Sequence, residues 1–127
     1  MGTRAYSVEV TTTGGAGVAA GAGSVGIPHG KLVGVQVDYK GMPATTDVTL
    51  KCKTGGVEKT LLTLTDKNTD IPLQTIHEAG LDSLGVAVAA GKNAELVDPV
   101  VGGQLTVDVA QADAGAPAVV VSFVLEV

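Results

Sequence analysis

The sequence has few aromatic residues, one cysteine and no long apolar run. Two Tyr and one Phe are its only aromatics among 127 residues, and there is no Trp. So few rings argue against a stacking platform for sugars or for single-stranded nucleic acid. A lone cysteine forms no internal disulfide, and Cys52 shares an alternating apolar face with Val48 and Leu50. This pattern predicts a packed thiol rather than a reactive one.

No segment reads as a leader or a membrane span. The first six residues lack an apolar core of the kind found in signal peptides, and the apolar runs elsewhere are too short to cross a bilayer. We therefore expect a protein that is made in the cytosol. It either stays there or leaves by lysis or as part of a larger assembly, without contacting a membrane.

Basic charge is also scarce. Eight Lys and Arg stand against thirteen Asp and Glu, which gives a net charge of −5. The first half of the chain is slightly basic and the second half strongly acidic, with no basic stripe. Nucleic acid is therefore not an expected partner. The asymmetry is either a solvated acidic face or a head-to-tail contact between subunits.

Aliphatic residues and glycine dominate instead. The chain is 45% hydrophobic with eighteen Gly, a composition that supports one aliphatic core in a single domain over residues 1–127. Apolar residues alternate with polar ones in short segments separated by Gly, Pro, Asn and Asp. This pattern predicts an all-β fold, an antiparallel β-sandwich. The alternating positions include Tyr6, Val8, Val10; Val33, Val35, Val37, Tyr39; Val48, Leu50, Cys52; Leu62, Leu64; Leu105, Val107, Val109; and Val119, Val121, Phe123, Leu125, Val127.

Two glycine-rich stretches depart from this alternation. Residues 14–26 are nearly all Gly and Ala, so they form either a weakly specified strand or a loop packed closely against another backbone. Residues 77–97 contain Gly80, Gly85 and Gly91, which interrupt any helical pattern. We interpret this second stretch as a long ordered loop, a kind of segment that is usually functional or bound to a partner.

Two motifs match binding sites only superficially. Gly21 to Gly26 fits the spacing of a dinucleotide-binding loop, but Pro28 follows where that loop needs a helix. Asp66-Lys67-Asn68-Thr69-Asp70 opens like a calcium loop, yet Ile71 replaces the required Gly and His77 the closing Glu. A turn between strands explains the Asp and Asn residues without a metal.

Catalytic and cofactor signals are weak. Ser83, His77 and Asp82 are the components of a nucleophilic triad, but they crowd into seven residues of a glycine-rich loop without a nucleophile elbow. Neither His29 nor His77 belongs to a cluster with zinc spacing, and no phosphate loop precedes Lys92. We therefore expect no enzymatic activity and no cofactor.

The order of segments resembles a known class of proteins. It runs through Gly30–Tyr39, Thr46–Leu50, Asp70–His77, Pro99–Ala112 and a hydrophobic terminal strand. In this order the chain resembles the small all-β virion proteins of tailed bacteriophages, especially head decoration (cement) proteins. The resemblance covers residues 5–127. It implies a jelly-roll-like sandwich that forms a homotrimer on the outside of the virion, where it binds the major capsid protein and stabilises the head.

Two segments are the expected contact regions. Residues 1–13 are predicted to form an N-terminal arm that adds to a sheet edge of a neighbour or of the capsid. The long loop carries apolar side chains that need a partner surface. The predicted contact residues are Arg4, Tyr6, Val8 and Val10 in the arm, and His77, Leu81, Leu84, Val86 and Val88 in the loop.

Other functions stay open at this point. A tail, neck or head-fibre base module of the same virion would share the sandwich and differ only in location. A carbohydrate-binding or adhesin module is disfavoured, because only Tyr6 and Tyr39 could stack on sugars and both lie on apolar strand faces.

Overall fold

The computed structural model describes residues 2–76, 78–79 and 96–127, and all regular elements in these ranges are β-strands. The prediction of an all-β fold is therefore confirmed. The strands are β1 (Thr3–Thr12), β2 (Ala19–Asp38), β3 (Asp47–Thr54), β4 (Val57–Leu64), β5 (Ile71–Gln74), β6 (Glu78–Ala79), β7 (Leu96–Val97), β8 (Val100–Ala112) and β9 (Gly115–Glu126).

Seven of these strands form one antiparallel sheet. Its order is β1-β9-β2-β8-β3-β4, with β5 also paired to β2, while β6 and β7 pair with each other. Strand β2 is long enough to serve two sets of partners. Its first part pairs with β8 and its second part with β9, and Lys31 is in register with both Val100 and Glu126.

This change of partner divides the sheet into two layers. The first layer contains β4, β3, β8 and the first part of β2, and the second contains β1, β9, the second part of β2 and β5. Apolar side chains of both layers form one core, including Leu105 and Val107 from the first and Phe123 and Leu125 from the second. The architecture is a β-sandwich, as predicted. Its jelly-roll character is not confirmed and stays a prediction.

Glycine lets the layers approach closely beside β1. A Cβ atom on Gly21 would overlap the carbonyl oxygen of Thr11, and one on Gly23 would lie 2.8 Å from Cγ1 of Val8. Residues 19–26 of the tract therefore combine both predicted alternatives, because they belong to a strand that also packs closely against another backbone, whereas residues 14–18 form the turn between β1 and β2. A side chain at either position would push β1 away from β2.

Strand β1 corrects the prediction of an N-terminal arm. It pairs with β9 from Thr3 to Thr12, and it places Val8 and Val10 in the core with 4% and 0% of their surface exposed. Alternate residues of a strand point to opposite faces, so the apolar alternation that suggested an adhesive arm serves the chain's own core instead.

A second correction concerns Val33, which was predicted to share a face with Val35, Val37 and Tyr39. The register between β2 and β9 shifts between Leu32 and Gly34. The bulge puts an extra residue into β2 and changes the phase of the alternation. Leu32 is therefore fully buried, whereas Val33 is half-buried and lines a cleft on the outer surface.

The predicted long loop at residues 77–97 lies mostly outside the described residues. Within it, β6 and β7 pair through Glu78 with Val97 and Ala79 with Leu96. The contact residues predicted for this loop are outside the described residues: His77, Leu81, Leu84, Val86 and Val88.

The close approach at Gly21 leads to a mutational prediction. Gly21→Ala should destabilise the fold by about 3 kcal/mol, because the added methyl group meets backbone rather than a flexible side chain. Gly26→Ala is a matched control in the same strand, since the nearest atom to its Cβ would be the Gly103 carbonyl oxygen at 3.8 Å. Urea unfolding of both variants measures the difference. Equal stability of the two variants would contradict the close packing of β1 on β2.

The integration of β1 into the core leads to a second prediction. Deletion of residues 2–13 should remove Val8 and Val10 from the core and expose the edge of β9. We expect loss of the cooperative thermal transition, measured by circular dichroism. A truncated chain that melts like the full chain would show that β1 is dispensable and would restore the arm interpretation.

Candidate interaction surfaces

The predicted contact residues of β1 divide into surface and core positions. Arg4 is exposed, and Tyr6 is half-buried with its ring stacked on Phe123, at a centroid distance of 5.8 Å and an interplanar angle of 17°. Val8 and Val10 belong to the core. They are therefore corrected from contact residues to core residues, and only the exposed face and edge of β1 remain available to a partner.

The segment from Asp66 to Asp70, whose sequence opens like a calcium loop, joins two loops by hydrogen bonds. The backbone N–H of Tyr39 donates to Oδ1 of Asp70 at 2.8 Å, and Nδ2 of Asn68 donates to the Met42 carbonyl oxygen at 3.1 Å. The backbone N–H of Asp66 donates to Oδ1 of Asp47 at 2.9 Å. In the described part of the chain, no three His, Cys, Asp or Glu side chains group as a metal site. The Asp and Asn residues thus hold the turn against the loop that follows β2.

Tyr39 is buried rather than displayed. None of its surface is exposed, so its ring is not available for stacking on a sugar. Its hydroxyl group is buried and has no hydrogen-bond partner among the described residues. Burial raises the pKa of this phenol above its ordinary value, and the negative charge of Asp70 raises it further.

Cys52 is a packed thiol, as predicted, with 3% of its surface exposed. Its Sγ donates to the Gly102 carbonyl oxygen at 3.3 Å, and the Thr54 hydroxyl group donates to the same oxygen. The other side of Gly102 is covered by the His29 ring, which a Cβ at this position would overlap. The contact between His29 and Gly102 was not predicted from the sequence. The glycine pair 102–103 is the one signal for it, because glycine within a strand often lies where another part of the chain approaches closely.

The outer face of the first layer is charged. Lys51 on β3 places its Nζ 3.0 Å from Oδ2 of Asp108 on β8 and 3.6 Å from Oε1 of Glu58 on β4. The hydrogen bond to Asp108, together with the charges of Asp108 and Glu58, raises the pKa of Lys51. We call this surface the charged face. The ammonium group of Lys51 is thus paired with carboxylates of the same chain.

The outer face of the second layer is different. Its middle carries Val120, Ser122 and Val124 from β9, flanked by Val33 from β2 and Leu73 from β5. We call these five residues the apolar face. Beside them, Val33, Gly34, Leu73, Gln74, Thr75 and Val124 line a cleft of about 270 Å³, and Leu73 is 56% exposed. Of these five residues only Leu73 is exposed, whereas Val33, Val120, Ser122 and Val124 are half-buried.

Strand β4 is one end of the sheet. It pairs with β3 along its length, and no strand in the described ranges pairs with its other edge. Leu61, Leu62 and Leu64 are only partly buried there. An unpaired edge offers backbone N–H and C=O groups to a strand of another protein.

The buried Tyr39 hydroxyl group leads to a prediction. Tyr39→Phe should stabilise the fold by about 1 kcal/mol at neutral pH, because it removes a buried polar group for which the described ranges offer no partner. Since the folded state has the higher phenol pKa, the unfolded state loses its proton first, and wild-type stability falls further as pH rises beyond about 10. The advantage of the variant should therefore grow there. Urea unfolding at neutral pH and near pH 10.5 tests this, and a less stable variant would mean that the hydroxyl group has a partner.

Comparison with known proteins adds no relative. No family model, curated protein or solved structure matches this chain. Among the described residues, no helix has the length and apolar character needed to span a membrane. The surfaces described above, together with the sequence resemblance, are thus the observations from which a function is inferred.

Proposed function

We propose that this chain is a capsid decoration protein, which binds the outer surface of a phage major capsid lattice and stabilises the head. The resemblance in segment order supplies the class of protein. The unpaired edge of β4 is the observation that carries the proposal in the structure, because it provides a route for binding another β-structured protein. The homotrimer implied by the resemblance stays a prediction.

The backbone of β4 has a defined outward-facing amide. The two-residue turn Gly55-Gly56, with φ values of 56° and 86°, joins Thr54 to Val57 as the first pair of the β3–β4 hairpin. Antiparallel pairs alternate between hydrogen-bonded and non-hydrogen-bonded types, starting with a hydrogen-bonded pair next to such a turn. Thr60, three residues after Val57, is therefore in a non-hydrogen-bonded pair with Lys51. Its N–H points away from β3 toward the free edge.

The edge is also protected against indiscriminate pairing. The register of β3 and β4 shifts beside Leu61, which is the mark of a bulge, and Lys59 places its Nζ 3.3 Å from the Val100 carbonyl oxygen. Bulges and lysines limit random association of edge strands. A partner strand must therefore match a short, irregular edge. This requirement favours one defined site that repeats on a regular lattice over nonspecific adhesion to many proteins.

Binding to expanded capsids tests the proposal. The wild-type protein should bind purified expanded capsids and raise their disruption temperature, because a ligand of the intact lattice stabilises it by mass action. Thr60→Pro should weaken binding about tenfold or more, since proline removes the outward-facing donor while the pairing with β3 stays intact. Thr60→Val is the matched control, which changes the same side chain but keeps the N–H.

The outcomes separate the parts of the proposal. Wild-type protein that neither binds the capsids nor raises their disruption temperature would refute the decoration role. Equal binding by the proline and valine variants would show that capsid attachment does not use the β4 edge. Thermal melting of both variants shows that the fold is kept.

A further inference from the structure

The two lateral sides of the sandwich are closed to different degrees. On one side β1 lies against the first part of β2, and Gly21 and Gly23 allow this close approach. On the other side lie β4, at the end of the first layer, and β5, at the end of the second. In the described ranges no strand pairs with the outer edge of either one. We call the side between β4 and β5 the open side.

Aliphatic side chains line the open side, and each of them packs against the core while staying half-buried. They are Leu61, Leu62 and Leu64 from β4, together with Ile71 from β5 and Ile76 just after it. Leu61 and Leu62 are adjacent in sequence, yet both contact the core, because the bulge gives β4 an extra residue at this point. The core therefore reaches the surface along this side.

The exposure arises because β4 and β5 are the last strands of their rows. Leu62 is in register with Leu50 of β3, and Leu50 is 1% exposed. Ile71 is in register with Val37 of β2, and Val37 is also 1% exposed. The same kind of side chain on the same face is thus fully covered one strand further in. What the rows lack at the open side is a neighbouring strand.

Hydrogen bonds limit the open side at both ends. Near the β3–β4 turn, Nζ of Lys59 lies 3.3 Å from the Val100 carbonyl oxygen. Beyond Leu64 the chain crosses to β5, and Asn68 donates from Nδ2 to the Met42 carbonyl oxygen at 3.1 Å. At about 3.3 Å per residue, the stretch from Lys59 to Leu64 measures about 17 Å. It has room for about five residues of an added strand.

We propose that the strand that pairs with the β4 edge has aliphatic side chains at alternate positions, and that these side chains fill the open side between β4 and β5. Its backbone accepts the outward N–H of Thr60, while every second side chain turns inward beside Leu62 and Ile71. The intervening side chains point toward the charged face. This inference rests on the proposed decoration role and deepens it, because it names the chemical class of the strand that β4 binds.

The backbone edge and the aliphatic lining together select such a strand. A helix bonds its own N–H and C=O groups internally, so it offers few partners to the β4 edge. A strand with charged residues at the inward positions would bury them beside Leu62 and Leu64, which is unfavourable without a paired charge. A strand with a period of two satisfies both requirements, since it places its apolar side chains on one face.

Peptide binding tests the inference without a capsid. The probe is the end-blocked peptide Lys-Thr-Val-Thr-Val-Thr-Lys, which places both Val side chains on one face of a strand. The comparison peptide, Lys-Thr-Val-Val-Thr-Thr-Lys, has the same composition but places them on opposite faces. In an NMR titration up to about 5 mM that follows the Thr60 amide, the first peptide should bind about tenfold more tightly.

Substitution in the lining locates the bound peptide. Leu62→Thr should weaken binding of the alternating peptide about fivefold or more, because it removes apolar surface from the open side. Leu73→Thr is the matched control, since Leu73 is 56% exposed and lies over Gly34 on the outer surface of the second layer. Thermal melting checks that both variants fold, and the comparison of the two peptides on the wild type is independent of them.

The outcomes are distinct from those of the capsid experiment. Binding of neither peptide, equal binding of both, or equal effects of the Leu62 and Leu73 substitutions in folded variants would overturn the inference. Shifts of the Thr60 amide with protein concentration alone would also overturn it, because a second copy of the chain would then occupy the edge. Selective peptide binding without capsid binding would refute the decoration role and leave the strand preference in place.

Discussion

Strand β2 must serve two layers at once, and the rest of the fold depends on how it does so. Its first part completes the layer with β8 and its second part the layer with β9. Because one continuous strand crosses between the layers, these must come close beside it. Gly21 and Gly23 provide that space, since larger side chains there would hold β1 off the sheet. The lack of a side chain at Gly21 and Gly23 is thus a requirement of packing and not a sign of weak structure.

The two layers place different chemistry on their outer surfaces. On the charged face, Lys51 is already neutralised by Asp108 and Glu58, so another protein would gain little from these charges. The β4 edge instead offers backbone N–H and C=O groups with which no strand of the described ranges pairs. The proposed decoration role uses these groups, because a strand of another protein can pair with such an edge.

Much of this architecture was predictable from residue periodicity. Alternation located most of the described strands, and it identified Cys52 as a packed thiol, because a period of two has a direct structural meaning. It did not predict the bulge at Leu32–Gly34, which shifts the phase within an unbroken apolar run and turns Val33 outward. Alternation also led to the prediction that Val8 and Val10 contact a partner. It shows that one face of a strand is apolar, but it does not show whether the chain's own core or another protein covers that face. The close contact between His29 and Gly102 joins residues far apart in sequence, and only the glycine itself hinted at it.

Cryo-electron microscopy of phage particles assembled in the presence of this chain tests the proposed decoration role most directly, because it shows where the chain binds and what it contacts. The decoration role predicts hundreds of copies on the outer capsid surface, each with the β4 edge against a strand of the major capsid protein. A handful of copies at the tail or neck, or copies on the capsid with β4 facing solvent, would contradict it.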